Sequence, residues 1–300
     1  MEIIDTEYFD LPRKIVSNMT SESWETIPHG SFTYRAKAEK LLSVLKEINS
    51  GIAPEEKITL NTAMLRIITE ALVACPKMNG HIHFNRRLVR GKVEFMRNVD
   101  ISMPVLLKSG VMMTLNMHDF QDKTMSQMRD AINDSIARAE NSDLKKALMS
   151  VSMDNTIKGL MRGKLLQTLG RLLGILLDKF NPAAPKETKV RPVGSSLAVR
   201  DMEQGTITVS NVGPLYMNWP GECTLLEIIP PQLSAICIGN IQKLPYVNEN
   251  DEICAGRFIP LTIAFDHRAL DFGDVVPFLK KLDEIFDEPS SARLSGFNKE

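Results

Sequence analysis

His267 and Asp271, four positions apart near the C-terminus, are residue types that can handle a proton. A neutral imidazole accepts one near pH 7; taken alone, Asp271 reads as a helix N-terminal acid favoured by the dipole, a support and not a proton carrier. The spacing alone is weak. With five histidines in the chain, chance supplies such a pair in roughly a quarter of comparable sequences. Taken alone, such a histidine is more often a satisfied core or surface residue. A third group stands in the stretch Gly205-Thr-Ile-Thr-Val-Ser210-Asn211-Val-Gly213, where the Ser210 hydroxyl can donate a hydrogen bond to a developing negative charge.

The elements around these groups suit positioning. Phe258 to Phe265 is an apolar run that reads as a strand, and it ends on Asp266, His267 and Arg268. Beyond Gly273, Val275, Val276, Phe278, Leu279, Leu282, Ile285 and Phe286 follow a helical period. His267 therefore sits where a strand turns into a helix, a rigid place from which to aim a base. Gly205 to Ser210 alternates as a strand before its turn. Upstream, helical character runs to about Trp24, and Pro28 forces extension. Ala36 to Ile48 and Leu60 to Val73 read as helices; Pro76 and Gly80 stop the second. His81 to Met117 is strand-like with turns at Asn85-Arg86 and Ser109-Gly110, and Thr124 to Glu140 is an amphipathic helix.

Composition narrows the classes. The 300 residues, 43% hydrophobic and 24% charged, suffice for a sizeable soluble core. A net charge of −1 favours neither nucleic acid nor an anionic membrane as a global partner. The acidic start lacks the form of a secretory signal. The four cysteines, Cys75, Cys223, Cys237 and Cys254, have no C-x-x-C pairing and read as reduced residues of a cytoplasmic protein. His81, His83 and His118 lack an evident carboxylate or cysteine partner, so no metal is expected. Residues 157–180 combine leucines with Lys158, Arg162, Lys164, Arg171 and Lys179. Such a stripe suits a membrane surface or, more commonly, a helix half core and half solvated.

Three ordered blocks carry a resemblance. They are Arg13-Lys14 leading to Ile27-Pro28-His29; the Gly205–Gly213 stretch with the Pro230-Pro231 turn after it; and Asp-His267-Arg-x-x-Asp271. This pattern resembles the acyltransferase catalytic domain of 2-oxoacid dehydrogenase complexes and its relative chloramphenicol acetyltransferase. The likeness covers roughly 10–140 and 200–290 and is strongest after Gly205. One departure is plain: the family pattern is His-x-x-x-Asp-Gly, but here Phe272 follows the aspartate and the glycine comes at Gly273.

The resemblance implies a two-layer α/β sandwich with a mixed sheet, forming a single catalytic domain over 1–300. Residues 1–33 would be its lead-in and 141–200 a divergent helical insertion. It implies coenzyme A-dependent acyl transfer from a thioester to a thiol or hydroxyl acceptor, with His267 as general base and Ser210 as oxyanion donor. Asp271 would be structural, paired with Arg13. Asn211, His29 and Phe272 would line the substrate channel, Phe272 narrowing it or moving the turn. A homotrimer is implied, with His267 facing Ser210 of a neighbour. Only twelve residues precede Arg13, so lipoyl is expected on another protein, or a small molecule is the acceptor. The alternative, favoured by Phe272, is a non-catalytic trimeric scaffold of the same fold.

Overall fold

The structure is a computed structural model that describes residues 2–142, 197–216 and 221–290, with isolated positions 169, 170, 173, 174, 176, 219 and 294. Most of 141–200, including the basic stripe of 157–180, lies outside the described residues.

The first helix, α1 (Leu11–Thr26), starts at Asp10, whose side chain accepts the Arg13 backbone N–H at 2.9 Å. That bond satisfies one of the donors every helix start leaves open. Pro28 then carries the chain into β1 (His29–Lys37). The sheet thus begins inside the stretch expected to be a lead-in. The helix expected from Ala36 is α2 (Glu39–Ile48), shortened because Ala36 and Lys37 are paired in β1. Next come α3 (Leu60–Ala74), capped by Thr59, and the ribbon β2 (Gly80–Asn85) and β3 (Arg90–Phe95). β4 (Ile101–Leu106) and β5 (Met112–Met117) precede α4 (Met125–Glu140). Thr124 and Gln127 close a reciprocal capping box at the start of α4. After the undescribed stretch follow β6 (Ile207–Asn211), β7 (Ser234–Ile238), β8 (Gln242–Val247), β9 (Ile253–Asp266) and α5 (Phe272–Asp287).

The strands form a seven-stranded sheet in the order β1-β9-β7-β6-β4-β5, with β8 on the first half of β9. β6 runs parallel to β4 and β7; the other pairs are antiparallel. The sheet is therefore mixed. One face is apolar: Ile207, Val209, Ile236, Ile238, Leu261, Ile263 and Phe265 pack into a core shared with α3 and with Val275, Phe278, Leu282 and Ile285 of α5. Those two helices also pack on one another. This is the two-layer α/β sandwich.

The other face differs in kind. Thr208, Ser210, Ala235, Cys237, Thr262, Ala264, Ser31 and Thr33 alternate with the core residues and so point away from the helices. An extended segment, 221–228, crosses this face. It is held by Ser31 Oγ to Thr224 O at 2.9 Å, Thr262 Oγ1 to Cys223 O, and Ser23 Oγ to Ile228 O at 2.7 Å. Ile228 and Leu226 pack with Ile27 on Ala235 and Ala264.

Gly205 admits β6 to the sheet. Its N–H reaches Ser102 Oγ at 2.8 Å, and its carbonyl accepts His81 Nε2 at 3.0 Å and Gln232 Nε2 at 2.9 Å. A Cβ there would stand 2.3 Å from the Asp100 carbonyl oxygen, which is backbone and cannot swing aside. Gly205→Ala should therefore lower the unfolding free energy by about 1–3 kcal/mol, read as an earlier midpoint in urea denaturation. An unchanged midpoint would show that the Asp100 peptide gives way freely.

Candidate active site

The His267 turn is built from its own backbone and two flanking charges. β9 ends at Asp266, and His267 N–H bonds the Pro28 carbonyl at 3.0 Å, pinning the turn to the start of β1. Ala269 and Leu270 both direct their N–H groups at Asp266 O, at 3.0 Å each. The Asp266 side chain is fully buried. It accepts the Arg268 backbone N–H at 2.9 Å, Arg268 Nε at 2.9 Å and Arg268 Nη2 at 2.5 Å. A buried carboxylate is tolerable only when paired and hydrogen-bonded, and Arg268 supplies both conditions from two residues away. The guanidinium also sits 5.9 Å from the Phe84 ring centroid, which ties the turn to the β2–β3 ribbon.

Between these charges the His267 ring is held on one side only. Nδ1 lies 3.1 Å from the Leu270 carbonyl oxygen and 3.4 Å from Asp271 Oδ1. A carbonyl only accepts, so Nδ1 carries the hydrogen and the Nε2 lone pair points outward. The side chain is 54% exposed. Asp271 is 84% exposed and precedes α5, its backbone N–H bonding Asp274 Oδ2 at 3.0 Å. It stands in the helix N-terminal position where an acid is favoured.

The expected Arg13–Asp271 pair does not form within the chain. Arg13 lies exposed in the first turn of α1, and the only ion-pair partner shown for Asp271 among the described residues is His267. The carboxylate that does meet an arginine is Asp266, and its partner is the near neighbour Arg268. Opposite charges flanking a histidine were visible in the sequence; that one of them would be buried was not.

Ser210 stands near the far end of β6, half-buried, in a polar row across the sheet: Thr33, Thr262, Cys237 and Ser210 are successive register partners. Its hydroxyl makes no hydrogen bond among the described residues, so its proton is available to a ligand. Beside it, burial and the neighbouring Cys223 push the Cys237 thiol up to about 12, which keeps it neutral. Asn211 is already occupied: its Nδ2 donates to Asn61 Oδ1 at 2.8 Å and its Oδ1 accepts Gly213 N–H at 3.0 Å. It shapes the turn after Ser210.

His29 is likewise occupied. Ile228 N–H donates to its Nε2 at 3.1 Å, so Nδ1 bears the hydrogen and donates to Ile27 O at 2.9 Å. Burial lowers its pKa and favours this neutral form. His29 fastens segment 221–228 to β1 and leaves no nitrogen for a substrate. Phe272 begins α5 and sets its ring edge-on to Phe32, centroids 5.4 Å apart. The bulkier residue is accommodated at the turn, and a Cβ on Gly273 would meet only open space. His81, His83 and His118 take separate partners, Gly205 O, Glu94 and Asp100. No metal-ligating group of three is present among the described residues.

The register fixes how far His267 is from Ser210. Ser210 is level with Thr262, and His267 lies five residues further along β9. That is about 16 Å along the strand and about 10 Å across two strand spacings. The imidazole and the hydroxyl occupy opposite ends of the same sheet.

Comparison with known proteins agrees with this architecture. The catalytic-domain profile of the 2-oxoacid dehydrogenases acyltransferase family matches residues 5–153 and 186–294. The dihydrolipoyllysine-residue acetyltransferase component of the pyruvate dehydrogenase complex of Rickettsia bellii is 22% identical over 281 residues, covering 93% of this chain and 51% of that protein. The equivalent component from Zymomonas mobilis is 22% identical over 278 residues, 92% of this chain and 48% of that one. The chain thus spans about half the length of the curated relatives it matches. A probable dihydrolipoamide acetyltransferase from Listeria monocytogenes superposes with a TM-score of 0.65 at 18% identity, covering 99% of this chain and 98% of that one. The Azotobacter vinelandii dihydrolipoamide acetyltransferase, studied for the role of a serine, a histidine and an asparagine in its catalytic mechanism, gives 0.65 at 14% identity over 95% and 92% of the two chains. With a family profile matched over most of its length and the fold to go with it, the chain belongs to the catalytic-domain family of the 2-oxoacid dehydrogenase acyltransferases.

Proposed function

We propose that the chain transfers an acyl group between coenzyme A and a second thiol, at sites formed where copies of the chain meet in a homotrimer. The observation that carries this reading is the one-sided anchoring of His267: Nδ1–H is spoken for by Leu270 O, and Nε2 is open. Support comes from the relatives. A dihydrolipoyllysine residue is the acetyl acceptor in their names, and a serine and a histidine figure in the mechanism of one.

The chemistry follows from the two groups. His267 Nε2 takes the proton of the attacking thiol as its sulfur adds to the thioester carbonyl. The new tetrahedral oxyanion accepts a hydrogen bond from Ser210 Oγ–H, a bond stronger to an oxyanion than to a neutral carbonyl. The intermediate collapses, the carbon–sulfur bond of the original thioester breaks, and the leaving thiolate regains the proton from the imidazolium. No covalent acyl-enzyme is needed. Asp271 stabilises the imidazolium through space, and its exposure keeps that contribution small. Asp266 and Arg268 carry no proton; they hold the turn.

A base and an oxyanion donor must stand within hydrogen-bond reach of the same reacting carbonyl. The separation of His267 from Ser210 along the sheet forbids this within one copy. Pairing His267 of one copy with Ser210 of the next satisfies it, and closed cyclic symmetry repeats the site at each contact.

His267→Ala should reduce acyl transfer by about 10²–10⁴-fold while leaving the melting temperature nearly unchanged, because the ring is over half exposed. Release of free thiol from an acyl-coenzyme A panel measures it; near-normal transfer would remove His267 from the mechanism. Ser210→Ala should lower kcat by about 10²–10³-fold with little change in KM, since the donor acts on the oxyanion. An effect on KM alone would rule that role out. Asp266→Asn and Arg268→Met should each cost about 3–5 kcal/mol by stranding a charge, and the double variant should lose less than their sum. Asp271→Asn and Arg13→Met should leave the thermal melt where it is. The opposite ranking would restore the Arg13–Asp271 pairing.

A further inference from the structure

Phe272 stands where the family pattern has glycine, and its ring has a place in the fold. It opens α5 directly after Asp271 and sits edge-on to Phe32 of β1, centroids 5.4 Å apart at 74°. Phe32 in turn lies 6.4 Å from Phe265 of β9, and Phe265 lies 5.7 Å from the His267 imidazole at 66°. All three separations fall within the range of about 4.5–7 Å in which tilted and edge-on aromatic pairs attract. Four rings therefore run without a break from the start of α5 to the imidazole. The inner part of the run is set into the sheet. Phe265 is 4% exposed, and its register partner on β1 is Gly30. Its ring lies over that glycine: a Cβ on Gly30 would stand 2.4–2.8 Å from three carbons of the Phe265 ring. A ring laid across a cross-strand glycine packs on backbone that no side chain interrupts. Phe32 follows two residues further along β1, on the same face. The outer part is less enclosed. Phe32 is half-buried and Phe272 is 54% exposed, so without the Phe272 ring Phe32 gains room to turn outward.

The imidazole needs such support. The hydrogen bond from Nδ1 to Leu270 O, 3.1 Å long, fixes where Nδ1 points. It leaves the ring plane free to rock about that bond, and Nε2, across the ring, swings with it. The edge of Phe265 is the only aromatic contact of His267 among the described residues, and it sets the plane. The turn is also clasped to β1 and the residue before it at both ends. At its entry, His267 N–H bonds the Pro28 carbonyl at 3.0 Å; at its exit, Phe272 packs on Phe32. Leu270, whose carbonyl anchors Nδ1, lies between the two clasps.

We propose that Phe272 is a positioning residue for His267: through Phe32 and Phe265 it fixes the plane of the imidazole and so the aim of Nε2. This role rests on His267 as the base of acyl transfer. It makes the departure at 272 a support for that chemistry, neither an obstruction of the channel nor the mark of a lost activity. Misplacing a reacting group by about 1 Å can cost about 10²-fold in rate. A ring free to rock therefore lowers kcat and leaves substrate binding alone.

The test combines steady-state transfer from acetyl-coenzyme A to dihydrolipoamide with the ring carbon–proton NMR spectrum of the full chain labelled at histidine. The chain has five histidines, and His267→Ala identifies the His267 signal by its loss. Phe272→Ala should lower kcat about tenfold, a part of the loss that a full 1 Å misplacement brings. KM should stay as it is, and the His267 signal should move. Phe272→Tyr keeps the ring and should hold the native kcat and the native signal. Phe32→Leu should act in the same direction as Phe272→Ala. The double variant should be no slower than Phe32→Leu alone, because both changes break one path. A loss confined to KM, the mark of a residue lining the channel, would overturn the proposal. So would additive losses in kcat, a His267 signal that stays put in Phe272→Ala, or a signal that moves with kcat intact. Because Phe272 is over half exposed, Phe272→Ala should melt close to the native protein; a loss of kcat that merely followed an early melt would mean a structural role and overturn it as well. Transfer retained by His267→Ala would remove the base and its support together. Transfer lost in His267→Ala but intact in Phe272→Ala would remove the support alone.

Discussion

Burying the Asp266 carboxylate is the constraint on which the site depends. A lone ionised carboxylate in the interior is costly enough that it would take up a proton or drag water inside. Here its charge is met within the turn, by a guanidinium and backbone N–H two residues on. That arrangement leaves little freedom for the residue between them. The His267 N–H is committed to Pro28, the Asp266 carbonyl is shared by Ala269 and Leu270, and the Leu270 carbonyl reaches back to Nδ1. The tautomer that leaves Nε2 open is thus a by-product of satisfying a buried charge. Breaking the pair would release the loop and the ring's orientation together.

The same logic runs through the rest of the chain. Several side-chain polar groups near the site are consumed by structure. His29 spends both nitrogens on joining β1 to segment 221–228, and Asn211 spends its amide on Asn61 and Gly213. His267 keeps one nitrogen and Ser210 its hydroxyl.

Much of this was legible beforehand. The apolar run to Phe265, the charged turn and the helical period from Val275 required β9, the turn and α5, because periodicity reports burial directly. The strand that carries Ser210 was legible from the alternation that closes on Asn211 and Gly213. Long-range pairing was not. Arg13 and Asp271 are both charged and both border helices, but nothing in a sequence states that two such residues meet. In the fold, α1 carries Arg13 away from the turn, and Asp10 takes its backbone N–H. Nor did composition mark Asp266 as the buried acid, since an aspartate at a strand end is usually solvated. The helix predicted from Ala36 started late for a similar reason: the local pattern suited a helix, but pairing with β9 claimed Ala36 and Lys37.

The separation of His267 from Ser210 follows from the sheet. β9 runs antiparallel to β6 and β7, so residues that end their strands on the C-terminal side fall at opposite edges. His267 ends β9, and Ser210 lies next to the end of β6. No loop rearrangement can bring them together, because fourteen residues of β9 are locked between β1, β7 and β8. The helix-covered face is already filled with core residues. The face carrying Thr33, Thr262, Cys237 and Ser210 has only segment 221–228 across it. A sheet face lined with small and polar side chains, with a thin cover and a free hydroxyl at one end, suits contact with another protein surface better than with water. In the proposed homotrimer, the histidine end of a second copy set against it would cover that face and bring a His267 to Ser210 in one step.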